Sequence, residues 1–152
     1  MADRKLPELL FPSHNLKIIS QNDVLKIYDP LRRIYLVLTP EEYVRQSFVD
    51  YLIKTLHYPV SLMANEVFLT LNDLRKRCDT VVYDQYAKPW AIVEYKAPYV
   101  EINEKTFEQI IRYNIKLKAK YLILTNGLSL YCCETNYLTN SLKFLTDLPP
   151  YL

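Results

Sequence analysis

Two short runs rich in β-branched and aromatic residues lie at the centre of the chain, at 79–83 and 90–95, with a polar stretch between them. This pattern is typical of an antiparallel hairpin. Apolar residues point to both sides of each run, which predicts a hairpin that is covered on both faces. With a four-residue loop at 85–88, Asp84 would face Pro89, and Asp79 would face Glu94.

The sequence Thr-Pro-Glu-Glu at 39–42 predicts the start of a helix. Thr39 would be the N-cap, Pro40 would take the first helical position, and Glu42 would complete a capping box. Apolar residues at helical spacing extend the predicted helix to about Leu56, ahead of Pro59.

Two charged residues fall on the apolar side of this helix. At 100° per residue, Glu41 and Arg45 lie near the centre of the buried stripe, whereas Glu42 lies at its edge. A carboxylate and a guanidinium placed there at i and i+4 are either a buried structural ion pair or the roof of an active site. The pattern leaves both interpretations open.

The remaining pattern predicts a mixed α/β chain with a single domain at 1–152. An arm and a hairpin are expected at 1–38, and the core is expected at 39–133. The other predicted elements are hairpin strands at 24–28 and 33–38, a strand at 66–71, a helix at 104–117 capped by Asn103, strands at 121–125 and 128–133 around Asn126-Gly127, and a loop or short helix from Glu134 onwards.

Composition narrows the class of protein. Half of the 152 residues are apolar, which is enough for a substantial core, and no apolar run is long enough to span a membrane or act as a leader. The formal net charge of +2 neither proves nor opposes a nucleic-acid partner. Three cysteines without zinc or redox spacing favour a reduced, cytoplasmic protein.

Candidate chemistry lies at one end of the central hairpin. In the predicted register, Asp79, Glu94 and Lys96 share one face. Paired carboxylates suit Mg²⁺, and an ammonium two residues further on can stabilise charge on a phosphate. The alternative is a simple ion pair at the rim of the sheet, and such triplets are common by chance.

Two further groups could contact DNA. The basic run Arg75, Lys76 and Arg77 precedes Asp79 and is either a solvated loop or a grip on phosphate. Gln109 and Tyr113 are spaced at i and i+4 on the second predicted helix, so they form a stripe of their own beside its apolar face.

These elements and motifs together resemble a known superfamily. A predicted α-β-β-β-α-β core with Asp79 and Glu94-x-Lys96 on its second and third strands is similar to the PD-(D/E)xK nucleases, which have the restriction-endonuclease-like fold. More narrowly, the segments at 39–46, 79–83, 94–98 and 109–113 resemble the N-terminal nuclease domain of type I restriction enzyme R (HsdR) subunits. This resemblance covers roughly 33–133.

The resemblance implies a Mg²⁺-dependent DNA endonuclease, with Mn²⁺ as a substitute ion. It implies that Asp79 and Glu94 bind the metal, that Lys96 is the catalytic lysine, and that Glu41 joins the cluster in preference to Glu42. Other residues would then contact or position DNA, namely Gln109 and Tyr113 of a Gln-x-x-x-Tyr motif, Arg75, Arg77 and Arg45.

The chain departs from this family in one respect. R subunits carry a helicase motor with a glycine-rich phosphate loop, which 152 residues with a single glycine cannot supply. We therefore expect a standalone relative or an isolated nuclease domain, with any motor supplied by a restriction-modification or helicase partner. The alternative function is a non-catalytic nucleic-acid-binding or assembly module that retains the fold.

Overall fold

The structure is a computed structural model that describes residues 6–12, 16–136 and 138–152, without the side chains of Leu71, Arg112 and Tyr113. Within these residues it contains two α-helices and nine strands. In chain order they are β1 (Ile18–Gln21), β2 (Val24–Asp29), β3 (Ile34–Val37), α1 (Pro40–Lys54), β4 (Met63–Leu71), β5 (Leu74–Tyr83), β6 (Pro89–Tyr95), α2 (Glu104–Asn114), β7 (Tyr121–Thr125), β8 (Leu130–Asn136) and β9 (Ser141–Leu145).

The strands form two sheets. A small antiparallel sheet has the order β1-β2-β3, and a six-stranded sheet has the order β4-β5-β6-β7-β8-β9. All neighbours in the large sheet are antiparallel except β6 and β7, which are parallel because α2 crosses over between them. The predicted mixed α+β class is confirmed, whereas the identification of the core as restriction-endonuclease-like remains a prediction.

The large sheet separates two apolar layers. One layer contains the α1 residues Val44, Phe48 and Leu52, and the other contains the α2 residues Phe107 and Ile111. Both helices begin at the predicted caps. Thr39 Oγ1 accepts a hydrogen bond from the Glu42 N–H (3.1 Å), and Asn103 Oδ1 accepts one from the Thr106 N–H (2.9 Å).

Two edge strands were not predicted. β1 adds a third strand to the N-terminal hairpin, and β9 lies where we expected a loop or short helix. All four residues of β1 are exposed, and so are three of the five in β9. Exposed edge strands lack the apolar alternation on which a sequence-based prediction depends.

The predicted register of the central hairpin is confirmed next to the candidate site and is wrong at the turn. Thr80 pairs with Val93, as predicted, which places the preceding Asp79 opposite Glu94. A bulge after Val82 shifts the ladder, so that Tyr83 rather than Asp84 faces Pro89. Asp84 instead belongs to the turn, where its carboxylate accepts hydrogen bonds from the N–H groups of Tyr86 and Lys88.

A fully buried carboxylate holds the turn between β2 and β3. Asp29 is 0% exposed and accepts hydrogen bonds from the N–H groups of Leu31 (2.8 Å) and Arg32 (3.0 Å), from Arg32 Nε (2.7 Å) and from Asn65 Nδ2 (3.0 Å). Burial alone would raise its pKa, but the hydrogen bonds from Asn65, Arg32 and Leu31 outweigh burial, and the pKa lies below its ordinary value of 3.8.

We expect Asp29→Ala to lower the free energy of unfolding by about 3 kcal/mol, because it leaves buried donors without their acceptor. Urea unfolding followed by circular dichroism would measure this, with the exposed Asp147→Ala as the control. Since folding favours the ionised carboxyl, the contribution is present above pH 3.8 and is lost as the pH falls through the lowered pKa. Equal midpoints for Asp29→Ala and the parent chain would contradict this assignment.

Candidate active site

Two carboxyl groups meet at the end of the central hairpin. Asp79 on β5 and Glu94 on β6 lie within hydrogen-bonding reach of each other, and their side chains are 16% and 14% exposed. Burial, and then the neighbouring Asp79, raise the pKa of Glu94 to about 7. The predicted approach of these two acids is therefore present, in a place that solvent can still reach.

The Asp79 carboxylate is held at both of its oxygens. The Tyr95 N–H donates to Oδ2 (2.9 Å), and Arg45 Nη2 lies 3.7 Å from Oδ1. Tyr95 is itself fixed, because its buried hydroxyl is hydrogen-bonded to Thr80 (2.9 Å), which donates to Asn65 (2.6 Å). Since Asn65 also donates to Asp29, a continuous buried polar chain runs from the N-terminal hairpin to the end of β6 that carries Glu94 and Tyr95.

Arg45 connects three acids at the roof of the site. It is 5% exposed, and its guanidinium lies 3.3 Å from Glu42 and 2.5 Å from Glu66, besides its approach to Asp79. Of the two interpretations left open, the buried ion pair fits this geometry. The acids that pair with Arg45 are Glu42 and Glu66, however, and not Glu41 as predicted. A direct contact between Arg45 and DNA remains a prediction that nothing tests, and the geometry favours a positioning role.

The helical-wheel prediction of which acid of α1 is buried was wrong. Glu41 is exposed, whereas Glu42 is buried and pairs with Arg45 and Gln46 rather than completing the capping box. The physical reason is that α1 lies between β2 and β6 and so is buried on more than one side, whereas the wheel assumed one stripe. Glu41 still lies near the site: partial burial of its carboxyl and then Asp79 raise its pKa, and Lys96 opposes them.

The strand that carries Asp79 is distorted at that residue. Cys78 and Val81 pack in the same apolar layer although three positions separate them, so the regular alternation of side chains is interrupted between them. Opposite, Glu66 has a positive φ of 55° and does not pair with Asp79 in the ladder. This distortion places Asp79 on the side of Arg45, and alternation alone could not have predicted it.

Lys96 follows directly after β6. Its N–H donates to the Thr125 carbonyl (3.0 Å), so β7 fixes its backbone. Its side chain is half-buried and makes no ion pair or hydrogen bond with the described residues. Burial and then Asp79 raise the pKa of Glu41 on α1, and the Lys96 ammonium opposes that rise, so the two charged groups interact.

The structure reveals a second lysine that the sequence analysis did not assign to the site. Lys76 lies on β5, not in a loop, and its ammonium is 3.3 Å from Glu94 Oε1. It also donates to the Asn114 Oδ1 atom, and Asn114 Nδ2 donates weakly to Glu94 (3.4 Å). The buried position of the polar Asn114 on α2 indicates a polar contact, but the sequence did not identify Lys76, 38 positions away, as its partner.

The predicted DNA-binding residues Arg75, Arg77 and Gln109 lie on the surface. Arg75 stacks over the Phe68 ring (4.1 Å), and Arg77 pairs with Glu66 (2.9 Å); both arginines are exposed. Gln109 is exposed on α2. The side chain of Tyr113 lies outside the described part of the structure, so the predicted Gln-Tyr stripe stays a prediction.

The metal-binding arrangement is smaller than expected. Among the described residues, no group of three or more histidine, cysteine, aspartate or glutamate side chains is placed to hold a metal ion together. Asp79 and Glu94 therefore remain a pair, and Glu41 does not complete a third position with them in this arrangement. The roles of Asp79, Glu94, Lys96 and Glu41 remain predictions.

Comparison with protein families decides the relationship. The family model described as type I restriction enzyme R protein N terminus (HSDR_N) matches residues 40–149. The chain belongs to this family. The predicted resemblance is thus confirmed, and the HSDR_N match extends past the predicted limit at residue 133 to include β9.

No curated protein matches the chain. Membership of the HSDR_N family places the chain among the nuclease-like N-terminal domains of type I restriction enzymes. None of the helices in the described ranges is long and apolar enough to cross a membrane.

Proposed function

We propose that this domain is a DNA endonuclease that depends on a divalent cation, with Mg²⁺ as its cofactor and Mn²⁺ as a substitute. The observation that carries the proposal is the approach of Asp79 and Glu94 across neighbouring strands, with Lys96 two residues after Glu94 and directly beyond the end of β6. Membership of the HSDR_N family supports it. On this proposal the core is a restriction-endonuclease-like fold of the PD-(D/E)xK type.

The two acids fit a hard divalent cation. Their oxygens are the ligands that Mg²⁺ prefers, and Mg²⁺ commonly takes only one or two protein carboxylates, with water and phosphate filling the remaining positions. The raised pKa of Glu94 reflects burial and repulsion by Asp79, and a cation between the carboxylates would relieve that repulsion. When bound, the ion would activate water and neutralise charge on the phosphate.

Each surrounding side chain then has a defined task. Asp79 and Glu94 hold the ion, and Arg45 together with the Tyr95 N–H keeps the Asp79 carboxylate in one orientation. Lys96 places its ammonium against the phosphate that gains charge as a new P–O bond forms to water and the P–O bond to the leaving oxygen breaks. Glu41 contributes a further negative charge beside Asp79.

DNA is the proposed partner. The exposed Arg75 and Arg77 lie at the start of β5, on the strand that carries Asp79, and their charges suit the phosphate backbone. The proposed context is a restriction-modification complex or a helicase partner that supplies the motor. ATP-driven movement along DNA is not part of what we propose for these residues.

A non-catalytic DNA-binding module is the second candidate. The observation that favours it is that Lys76 already pairs with Glu94, and Arg45 already approaches Asp79, so both acids have counter-ions without a metal. This alternative predicts DNA binding that is insensitive to divalent cations.

Plasmid nicking separates the two candidates. We expect supercoiled DNA to be converted to open circles with Mg²⁺ or Mn²⁺ and to remain intact with EDTA, because the two acids need the cation to act on phosphate. The purified chain carrying Asp79→Asn, prepared in parallel, excludes a contaminating nuclease. DNA binding without nicking under every metal condition would reject the nuclease and favour the binding module.

A further inference from the structure

The Lys76 ammonium contacts the Glu94 carboxylate, which also has Asp79 as a neighbour. It lies 3.3 Å from Glu94 Oε1, the same oxygen that Asn114 approaches at 3.4 Å. Asn114, at the end of α2, is 1% exposed and is therefore held in place by the protein around it, whereas the Lys76 side chain is 25% exposed. The lysine thus has one rigid neighbour, one acidic neighbour and a route to solvent.

This placement conflicts with a divalent cation on the same carboxylate. An ammonium and a metal ion bound to one carboxylate repel each other strongly, because the separation is a few ångströms and the surroundings are partly desolvated. A lysine side chain can withdraw, since its charge sits on a flexible four-carbon stem and is strongly hydrated. Withdrawal leaves Asn114 beside Glu94, so the carboxylate keeps a hydrogen-bond donor after the lysine leaves.

We propose that Lys76 is a built-in counter-ion of Glu94 that a divalent cation must displace, and that this competition sets the affinity of the site for metal. The inference rests on the proposed function, since it concerns the same two acids. Lys76 is a positioning residue in this scheme: it holds Glu94 in the metal-free state and leaves when the ion enters. By thermodynamic linkage, metal binding must free Lys76 to the same extent that Lys76 weakens metal binding.

The first test is the metal affinity of Lys76→Met, measured by calorimetric titration with Mg²⁺ and Mn²⁺. We expect the variant to bind about tenfold more tightly than the parent chain, because it removes a positive charge from the ligand itself. The control is Lys88→Met, which removes the same charge from the exposed loop at the other end of the hairpin. A variant that merely damaged the site would bind metal more weakly, so the direction of the change is diagnostic.

The second test needs no variant. Acylation of lysines in the parent chain, read by mass spectrometry, should become about threefold faster at Lys76 when Mg²⁺ is added, while Lys88 stays unchanged. Unchanged labelling of Lys76 at saturating metal would overturn the inference.

The outcomes separate this inference from the proposed function. If the parent and Lys76→Met bind metal equally, displacement is wrong while the nuclease proposal stands. If Lys76→Met binds metal and the parent chain does not, Lys76 excludes the ion from the parent chain, and the inference is supported. If neither chain binds a divalent cation, both ideas fail together.

Discussion

Asp79→Asn is expected to remove metal binding and DNA cleavage together. The substitution keeps the shape of the side chain and an oxygen for the Tyr95 N–H, which donates at 2.9 Å, but it removes the charge that faces Glu94. Loss of a partner that only supports a metal ligand already costs about 10–100-fold in affinity, so loss of the ligand itself should raise the Kd for Mg²⁺ by about 100-fold or more. Calorimetry would give the affinity, and plasmid nicking would give the rate.

The interpretation depends on an intact fold and a matched control. Asp147→Asn changes the same chemical group at an exposed position and should leave both measurements unchanged. Arg45 lies 3.7 Å from the Asp79 carboxylate and loses this neighbouring charge in Asp79→Asn. Thermal unfolding of the variant would test whether the fold is as stable as in the parent chain. A folded Asp79→Asn chain that still nicks DNA at the parent rate would refute the role of this acid.

Lys96→Met is expected to lower kcat by about 100-fold to 1000-fold while leaving metal affinity and KM close to those of the parent chain. The reason is that Lys96 makes no ion pair or hydrogen bond with the described residues, so its charge is available for the phosphate in the transition state. An interaction made only in the transition state affects kcat and kcat/KM equally. Single-turnover cleavage at saturating Mg²⁺ isolates this step.

Two lysine variants define the specificity of that result. Lys88→Met should behave as the parent chain, because Lys88 is exposed in the hairpin loop. Lys76→Met should alter metal affinity first, because Lys76 contacts Glu94 directly. If Lys96→Met retains full kcat while Lys76→Met loses it, the catalytic lysine is on β5 and the assignment of Lys96 is wrong.

The parts of the site that could be predicted depend on local signals. Thr39 and Asn103 could be predicted as caps because each accepts a hydrogen bond from an N–H group only three residues further along the chain. The register that brings the strands of Asp79 and Glu94 together followed from the pattern of one hairpin, although the alternation of side chains is interrupted at Asp79. Such features need no knowledge of distant parts of the chain, and the sequence was sufficient for them.

The unpredicted parts depend on contacts between distant residues. Arg45 pairs with Glu66, 21 positions away, and Lys76 contacts Asn114, 38 positions away. The positive φ of Glu66 and the interrupted alternation at Asp79 arise where β4 and β5 meet, not in either strand alone. Periodicity describes one element at a time, so it could not choose among Glu41, Glu42 and Glu66 as the partner of Arg45.

The polar chain from the N-terminal hairpin to β6 bears on where a minimal fragment with an intact candidate site can begin. The family match starts at residue 40, yet Asp29 accepts from Asn65, and Arg32 lies 3.6 Å from Glu42. A piece trimmed to residues 40–149 would retain the candidate site residues, but it would lose the Thr39 cap and the Asp29 and Arg32 side chains that contact Asn65 and Glu42. The smallest unit able to keep the Asp79 carboxylate aligned therefore reaches back at least to residue 29, into sequence that the family model does not cover.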